Sequence, residues 1–348
     1  MWGPCRPLAA LMLLGVGVFG QETLRYAPEE GSVLRRNFEA KHFLAVTRSV
    51  TRIGDHEEIG QRTFDLRNVE KLQTSDRILS VGEGRPLSVR RYFDRGGLDG
   101  FADLSGAGGS INLRALGLSR LKGKSVRLTW VPEDEVYGRY FDAADGVEED
   151  LGSMREDLDL RLFLPDGPVK IGTSWSVPPS AMGDALSPGG MLSYDFSKSK
   201  NISLARTLRL GTGSHLFELF TQEVSGEVTA TLEQIQESYP AIAVVSVKWD
   251  VNTRTDLTEL ARRNRASEEM QFGQELVAMV VDLNLKGEGT FRWLTEGANH
   301  LKSYEFDSTE DVKSSVKTRI EAEGPVREEL LEMGGRVIVT GAVERRAR

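Results

Sequence analysis

Four histidines are the residues best suited to acid–base or metal chemistry, and their spacing brings no two of them together. They are His42, His56, His215 and His300. Metal sites built from histidine need ligands at characteristic short spacings, and no pair here has one. His56 lies in the run Asp55–Glu58 (DHEE), whose composition would suit a loose cation site but is more typical of a solvated turn. We predict no metal ligand among these residues.

Two acidic runs, Glu133–Glu135 and Glu148–Asp150, are the other candidates for binding a hard cation. Neither has the glycine-spaced loop of an EF-hand, so a charged surface or the start of a helix is the better interpretation. Paired carboxylates for glycoside hydrolysis meet in space and leave no spacing in the sequence. A carboxylate-dependent hydrolase therefore stays open as a minor alternative.

The common catalytic and cofactor motifs do not occur in the chain. There is no Gly-x-Ser-x-Gly elbow, no Walker loop and no His-Glu-x-x-His. The glycine pairs at 211–213 and 287–289 follow strands without a helix behind them, so we interpret both as turns. The sequence thus predicts no catalytic residue and no cofactor, and it favours a protein that is not an enzyme.

Composition describes an acidic globular protein. The chain has 348 residues, 44 of them Lys or Arg and 52 Asp or Glu, with a net charge of −8. An acidic chain is a poor partner for nucleic acid or for an anionic membrane surface. The one cysteine, Cys5, lies in the N-terminal leader, so the mature chain has no disulfide, no cysteine nucleophile and no thiolate metal site.

Met1–Gly20 has the features of a secretory signal peptide. Arg6 precedes the apolar run Leu8–Phe19, and Val18 and Gly20 supply small residues before a cut after Gly20. We expect export to the periplasm or the medium, in a bacterium, without a transmembrane anchor after cleavage. Loss of Arg6 would change the net charge from −8 to −9.

The elements that must position any site are long strands, because apolar and polar residues alternate over unusual spans. The predicted strands are Val33–Ile53, Pro86–Tyr92, Lys124–Val131, Val224–Leu232, Ala241–Leu257, Glu275–Leu285, Gly289–Leu294, Ala298–Phe306 and Val312–Ala322, with Leu66–Leu79 either a strand or a short helix. Short helices are predicted over Val147–Leu158 and Pro325–Met333. Arg95–Ser110 is expected to be a loop, and Arg336–Val343 to close a sheet edge.

The stretch Leu160–Pro178 is interpreted as a joint between two sets of strands. Leu160–Leu164 alternates as a strand, Pro165–Pro168 forces a turn, and a second strand continues to Val177 with Trp175 in the core. The domains predicted after the leader (residues 1–20) are residues 21–164 and 165–348, which could also form one continuous domain. The fold class is mainly β, with long antiparallel strands in a curved sheet or open half-barrel and one or two short helices.

The residues Leu164, Pro165, Val169, Gly172 and Trp175 form the pattern LP..PV..G..W. This pattern resembles a signature of exported bacterial proteins of unknown function from planctomycete- and myxobacterium-like genomes. Leu121–Val126 and Lys286–Phe291 are similar to flanking elements in that family. The resemblance implies an exported β-rich protein and supplies no activity and no catalytic residues.

The combined features favour a non-catalytic binding module whose apolar concave face takes a lipid, another apolar small molecule or a segment of a partner protein. A structural or assembly role in the cell envelope, through an exposed sheet edge, is the second hypothesis. The expected partners are therefore an apolar molecule or an envelope protein, and not nucleic acid.

Overall fold

A computed structural model gives the fold. It describes residues 21–60, 63–82, 84–106, 109–143, 145–152, 154–190, 192–197, 219–220, 222–259, 261–262, 275–295, 300–319 and 324–345. The leader therefore lies outside the described residues, as do His215 and the glycine pair at 211–213. Within the described part, no helix is both long and apolar enough to cross a membrane.

The structure is mainly β, which confirms the predicted fold class. The strands are β1 (Val33–Ile53), β2 (His56–Ile59), β3 (Thr63–Gly82), β4 (Arg85–Gly106), β5 (Gly109–Ser119), β6 (Ser125–Val131), β7 (Val136–Phe141), β8 (Ser174–Val177), β9 (Tyr194–Asp195), β10 (Glu223–Gln236), β11 (Ile242–Asp256), β12 (Glu275–Leu294), β13 (Leu301–Arg319) and β14 (Val326–Arg345). Helix α1 spans Ala181–Leu186, and 3-10 turns span Glu148–Leu151 and Arg161–Phe163.

All the strands join one antiparallel sheet. Its order is β7-β6-β4-β3-β1-β14-β13-β12-β11-β10-β8, with β2 beside β1 and with β5 linking β4 to β9. The sheet is open, because the end strands β7 and β8 do not pair with each other. The first and last long strands meet in its middle. Both halves of the chain supply strands to this sheet, and the domain division at residue 164 stays a prediction.

Alternation explains why these segments form long strands with one buried face. In β11, every second residue from Ala243 to Thr255 is buried, and the residues between Lys248 and Asp256 on the other face are exposed. Strand β1 has the bounds expected from its pattern, and its 21 residues far exceed the usual five or six. A turn joins β1 to β2, where Gly54 has a φ of +57°.

The concave face of the sheet is filled by residues 154–190, which we call the crossing segment. Its Arg155 and Glu156 carbonyls accept hydrogen bonds from Arg91 on β4. Further along, the Phe163 ring packs against Phe291 of β12 and Phe306 of β13. Strand β8, within the segment, then pairs with β10 at the far edge. The crossing segment therefore contacts β4 near one end of the strand order and β10 near the other, so the sheet curves around it.

The crossing segment returns to its starting point. Helix α1 follows β8, and Gly190 then forms a β-bridge with Met154. The residues that precede β1, which we call the lead-in, also cover this face, because Glu22 and Val169 exchange two backbone hydrogen bonds of 2.7 and 2.8 Å. The result is one apolar core shared by the sheet, the lead-in and the crossing segment.

The structure corrects the prediction of a loop over Arg95–Ser110. Strand β4 continues through Gly106 and pairs with both β3 and β5, despite its glycines. The pairing of β4 with β3 has a register shift between Gln73 and Thr74 of β3, beside this glycine-containing part of β4. Leu66–Leu79, predicted as either strand or helix, is strand β3.

Both predicted helices are wrong in position. Val147–Leu158 forms one 3-10 turn at Glu148–Leu151, after which the chain turns inward with Met154 and Leu158 buried. Val326–Met333, which makes up all but the first residue of the other predicted helix, belongs to β14, because β1 and β13 supply ladder partners on both of its sides. Arg336–Val343 is part of this same central strand and closes no edge. The helix α1 lies instead in a stretch rich in glycine and proline.

The predicted strand at Leu160–Leu164 is also wrong. Leu160 has a φ of +53°, a left-handed conformation that no regular strand contains, and a 3-10 turn follows it. The alternation there does not mark the two faces of a strand, because Leu160 and Phe163 are both buried whereas Leu162 is exposed. Trp175 lies in β8 as expected and is partly buried against the core.

Candidate functional site

The concave face carries a cluster of buried charges between the sheet and the crossing segment, and this is the candidate functional site. We call it the ion-pair cluster. Its members are Arg36 of β1, Asp76 of β3, Arg91 of β4, and Glu156, Asp159 and Arg161 of the crossing segment. Charged groups this deeply buried are rare in proteins unless they are paired.

The sheet side of the cluster is built by neighbouring strands. Arg91 binds both carboxylate oxygens of Asp76, with Nε–Oδ1 at 3.0 Å and Nη2–Oδ2 at 2.8 Å. Arg36 approaches the same Oδ2 at 3.1 Å. Antiparallel pairing places Arg91 of β4 directly opposite Asp76 of β3, and Arg36 of β1 lies diagonal to Asp76 on the same concave face.

The crossing segment completes the cluster. The Asp159 carboxylate accepts a 2.5 Å hydrogen bond from Arg36, and the Arg91 guanidinium donates to the Arg155 and Glu156 carbonyls at 2.6 and 2.8 Å. Arg161 binds Glu156 and lies 3.3 Å from Asp157. Two arginines of the sheet are thus fixed to an otherwise irregular piece of chain.

Burial changes the ionisation of these groups. It raises the pKa of Glu156 to about 7, although Arg161 acts in the opposite direction. Burial, aided by the charge of Asp157, raises the pKa of Asp184 to about 6. Burial alone would lower the pKa of Arg36, but Asp159 and Asp76 outweigh it and raise that pKa. The pKa of Tyr26 also rises, through burial and the charge of Asp159.

The contacts within the ion-pair cluster bind the crossing segment to the sheet. Asp76 and Asp159 each accept from an arginine, and the Glu156 carboxyl is bonded to Arg161. A general base or a nucleophile needs a reactive oxygen within reach of a substrate. These carboxylates instead face guanidinium groups inside the core. The arrangement therefore holds the crossing segment on the sheet.

A second set of buried polar side chains lies on the same face. There His42 Nε2 and Glu310 Oε1 form a hydrogen bond between β1 and β13. Ser308 is two residues from Glu310 on the same face of β13, and its hydroxyl has no partner in the described structure. A Ser–His pair in nucleophilic catalysis requires a bond between hydroxyl and imidazole. That bond is not formed between Ser308 and His42.

The residues of the LP..PV..G..W pattern lie along the crossing segment. Leu164 packs against the core, Pro165 follows it, and Val169 forms the bridge to Glu22. Gly172 has a φ of +85° and donates its N–H to Leu232 of β10 at 2.7 Å. Trp175 donates its indole N–H to the Phe163 carbonyl at 3.0 Å. Their contacts are structural, and their role as a family signature stays a prediction.

The other residues considered from the sequence are dispersed. His56 is exposed in β2, and Glu133–Glu135 is an exposed turn. His300 is buried with Nδ1 2.7 Å from the Leu301 carbonyl, and burial lowers its pKa. In Glu148–Asp150 only Asp150 is buried. Within the described ranges, no three His, Cys, Asp or Glu side chains are grouped so that they could hold a metal ion.

Sequence reasoning missed the ion-pair cluster, although a signal for it was present. Arg36 follows the parity of Leu34 and Phe38 in β1, so the pattern itself assigns the arginine to the buried face. A charge at an apolar position implies a buried partner. The partner, Asp159, lies 123 residues away and has no local signature.

Comparisons with known proteins place the chain in no family. No protein-family model and no curated protein matches it. A lipovitellin structure describing lipid–protein interactions is 10% identical at a TM-score of 0.28, over 92% of this chain and 26% of that one. The chain therefore spans about a quarter of lipovitellin. The outer membrane protein OprG from Pseudomonas aeruginosa is 8% identical at a TM-score of 0.23, over 93% and 99%. Similarities at this level carry no argument about function.

Proposed function

We propose that this protein is an exported, non-catalytic binding module that takes an apolar ligand on the concave face of its sheet. The single observation that supports it is the way this face is covered. Long rows of apolar side chains on β10–β14, β1, β3 and β4 meet an irregular segment fastened by ion pairs, and no second sheet or helical layer is present in the described structure.

An irregular cover can be displaced more easily than a second sheet. The crossing segment pairs with the sheet through the four residues of β8 and through two backbone hydrogen bonds that join Gly172 and Thr173 to Leu232, all on β10. Outside the sheet, Val169 exchanges two backbone bonds with Glu22. Backbone ladders make a layer cooperative, so the β8 end of this cover, which the ion-pair cluster does not hold, opens at a lower free-energy cost than a second sheet would. A ligand would then replace the apolar contacts of Phe163 and its neighbours.

The location follows from the leader and the family resemblance. The leader predicts export, and the LP..PV..G..W pattern resembles exported bacterial proteins. We propose that the protein resides in the periplasm or outside the cell. Because the chain after the leader contains no cysteine, it can fold there without forming disulfides.

Binding can be tested on the mature chain, residues 21–348. Organic extracts of the purified protein are analysed by mass spectrometry, and the apolar probe N-phenyl-1-naphthylamine is titrated while its fluorescence is followed. We expect a co-purifying amphiphile or a saturable rise in fluorescence. An empty extract together with no probe binding would remove the basis of the proposal.

An assembly role through the sheet edge is the second candidate, and strand β7 is the observation that favours it. It is the terminal strand of the sheet, pairing with β6 alone in the described structure. Val136 and Tyr140, on one of its faces, are 51% and 46% exposed. Exposed edge strands of this kind pair with other chains. A photo-crosslinker at Val136 should capture an envelope protein in cells, whereas one at exposed Tyr239 should not. Monomer alone at both positions would argue against this role.

A further inference from the structure

Among the buried polar atoms of the concave face that have no hydrogen-bond partner in the described structure, three lie close together in the sheet register. They are Trp249 Nε1, Ser308 Oγ and Glu310 Oε2, on side chains of residues that are 3%, 1% and 2% exposed. Buried polar groups in native proteins are nearly always bonded to protein, water or ligand. Three unsatisfied groups on neighbouring strands therefore indicate a polar site within an otherwise apolar face.

The sheet register places these groups together. Trp249 of β11 faces Gly287 of β12, which in turn faces Ser308 of β13. A Cβ atom at Gly287 would lie 2.7 Å from Trp249 Cζ2 and 2.8 Å from Ser308 Cα. Because Cζ2 is bonded to the ring carbon that carries Nε1, the N–H edge of the indole lies near Gly287, the residue that pairs with Ser308.

Glu310 forms the other side of the site. It follows Ser308 by two residues on the same face of β13, and its side chain lies over Gly335 of β14, where a Cβ would be 2.5 Å from Oε1. Oε1 forms a hydrogen bond with His42, which leaves Oε2 available for a hydrogen bond to a ligand. The site thus extends from β12 to β14, more than one strand spacing of about 4.8 Å.

We propose that Trp249, Ser308 and Glu310 bind the hydroxylated head group of an amphiphile, of the class of glycerol monoesters. This inference rests on the proposed function and names its ligand class. An indole N–H only donates and an ionised carboxylate only accepts, so the ligand must accept at one end and donate at the other. Hydroxyl groups do both, and two of them span the site. A carboxylate or phosphate head group would meet the charge of Glu310.

The neighbouring rows of the same face suit the acyl chain. Toward the crossing segment, the next positions on these strands are Val247, Gly289 and Phe306, and in the other direction they are Val251 and Leu285. Gly289 has no side chain, and the side chains of the other four residues are apolar and buried. The polar site therefore lies between apolar surfaces, as the head group of an amphiphile requires.

The test compares two probes that share one chain length, using the mature protein and isothermal titration calorimetry. Monodecanoyl glycerol carries two hydroxyls, and methyl decanoate carries none. We expect the glycerol ester to bind at least about tenfold more tightly. Trp249→Phe and Ser308→Ala should each reduce that preference about fivefold. Ser314→Ala, which changes a buried serine on the same face of β13, should leave it unchanged.

The outcomes separate this inference from the proposed function. Equal binding of both probes would overturn the head-group site while the binding module stands. The head-group site is likewise overturned if Trp249→Phe and Ser308→Ala alter thermal stability but not the preference, because the three groups would then bind only water. If neither probe binds, both the site and the proposed function are refuted. The comparison of probes on the unmodified protein holds even if a variant fails to fold.

Discussion

Arg36 occupies a position in β1 that the alternation assigns to the core, between Leu34 and Phe38 on the same face. Its guanidinium is tolerated there because Asp76 and Asp159 lie beside it. A buried ion pair adds little net stability over an apolar pair, but removal of one partner leaves an unpaired buried charge. The ion-pair cluster therefore acts as a specific fastening whose disruption is strongly destabilising.

Asp159→Asn should lower the free energy of unfolding by about 3 kcal/mol, because Arg36 then loses one of its two charged partners inside the core. Urea unfolding followed by circular dichroism measures the change. Asp99→Asn is the matched control, since it removes an exposed partner of Arg114 and should cost less than about 1 kcal/mol. Equal effects of the two substitutions would show that the buried cluster does not fasten the segment.

Tyr304→Phe should leave the protein as stable or raise its free energy of unfolding by about 1 kcal/mol. The Tyr304 hydroxyl is buried without a hydrogen-bond partner in the described structure, and burial raises its pKa. Removing the oxygen relieves a desolvation cost and keeps the ring over Gly341 and against Phe306. A loss of more than about 1 kcal/mol in urea unfolding would mean that the hydroxyl has a partner.

Glu156 should make stability fall as the pH rises. Its pKa is about 7 in the folded state against an ordinary value of 4.5, so the native protein holds this proton more tightly than the unfolded chain. Its contribution is complete below about pH 4.5 and is lost as the pH approaches and passes 7. The loss amounts to at most about 3 kcal/mol. In Glu156→Gln, melting temperatures measured from pH 5 to 8 should decline less. An unchanged pH profile would contradict this assignment.

At the scale of elements, the crossing segment and β8 decide whether the concave face can open. Ser176 of β8 faces Thr229 of β10 on the outer side of the sheet. Residues 21–348 contain no cysteine, so in a chain of these residues two introduced cysteines can form only one disulfide within a molecule. Such a bond would fix the far end of the segment on the sheet edge.

The double variant Ser176→Cys/Thr229→Cys should bind N-phenyl-1-naphthylamine at least about tenfold more weakly when oxidised and normally after reduction, because the ligand needs the segment displaced. Fluorescence titration with and without dithiothreitol measures this. Ser303→Cys/Ala342→Cys, which joins β13 to β14 at another outward-facing pair, is the control and should bind normally in both states. Undiminished binding by the oxidised first variant would exclude displacement of β8 as the route.

At the scale of the whole molecule, the sheet depends on both ends of the chain. Strand β14 is the last strand, yet it lies between β1 and β13 and joins the strands of the N-terminal half to those of the C-terminal half. Pairing between the first and last long strands closes a very long loop, which makes folding slow and non-local. The sheet therefore forms only when the chain is complete.

A chain ending at Gly324 should fail to form the native sheet, because removal of β14 leaves β1 and β13 with unpaired edges in the middle of the core. We expect loss of the cooperative thermal transition and aggregation, measured by circular dichroism and size-exclusion chromatography. A chain ending at Arg345 retains all of β14 and should melt as the full-length protein does. A folded, monomeric protein ending at Gly324 would contradict the observed strand order.

The sequence by itself determined the strands whose alternation is uninterrupted. Val33–Ile53 and Ala241–Leu257 were predicted within a residue of β1 and β11, because a period of two is a local property. The mainly β fold class followed from the same pattern. Of the strands interrupted by glycine, such as β4, or lacking a clean alternation, such as β14, only parts were predicted (Pro86–Tyr92 and Arg336–Val343), because the strand conformation of the rest comes from their neighbours.

Only the tertiary structure decided which strands are adjacent, what covers the concave face and where the buried charges meet. The chain between Leu160 and Leu164 alternates like a strand but turns, because Asp159 is held by Arg36, which is distant in sequence, while Arg161 is held by the nearby Glu156. The residues of the proposed head-group site likewise come from strands more than fifty residues apart, and no local pattern connects Trp249 with Glu310. Alternation reports which face of a strand is buried, whereas contacts between distant residues determine what that face is buried against.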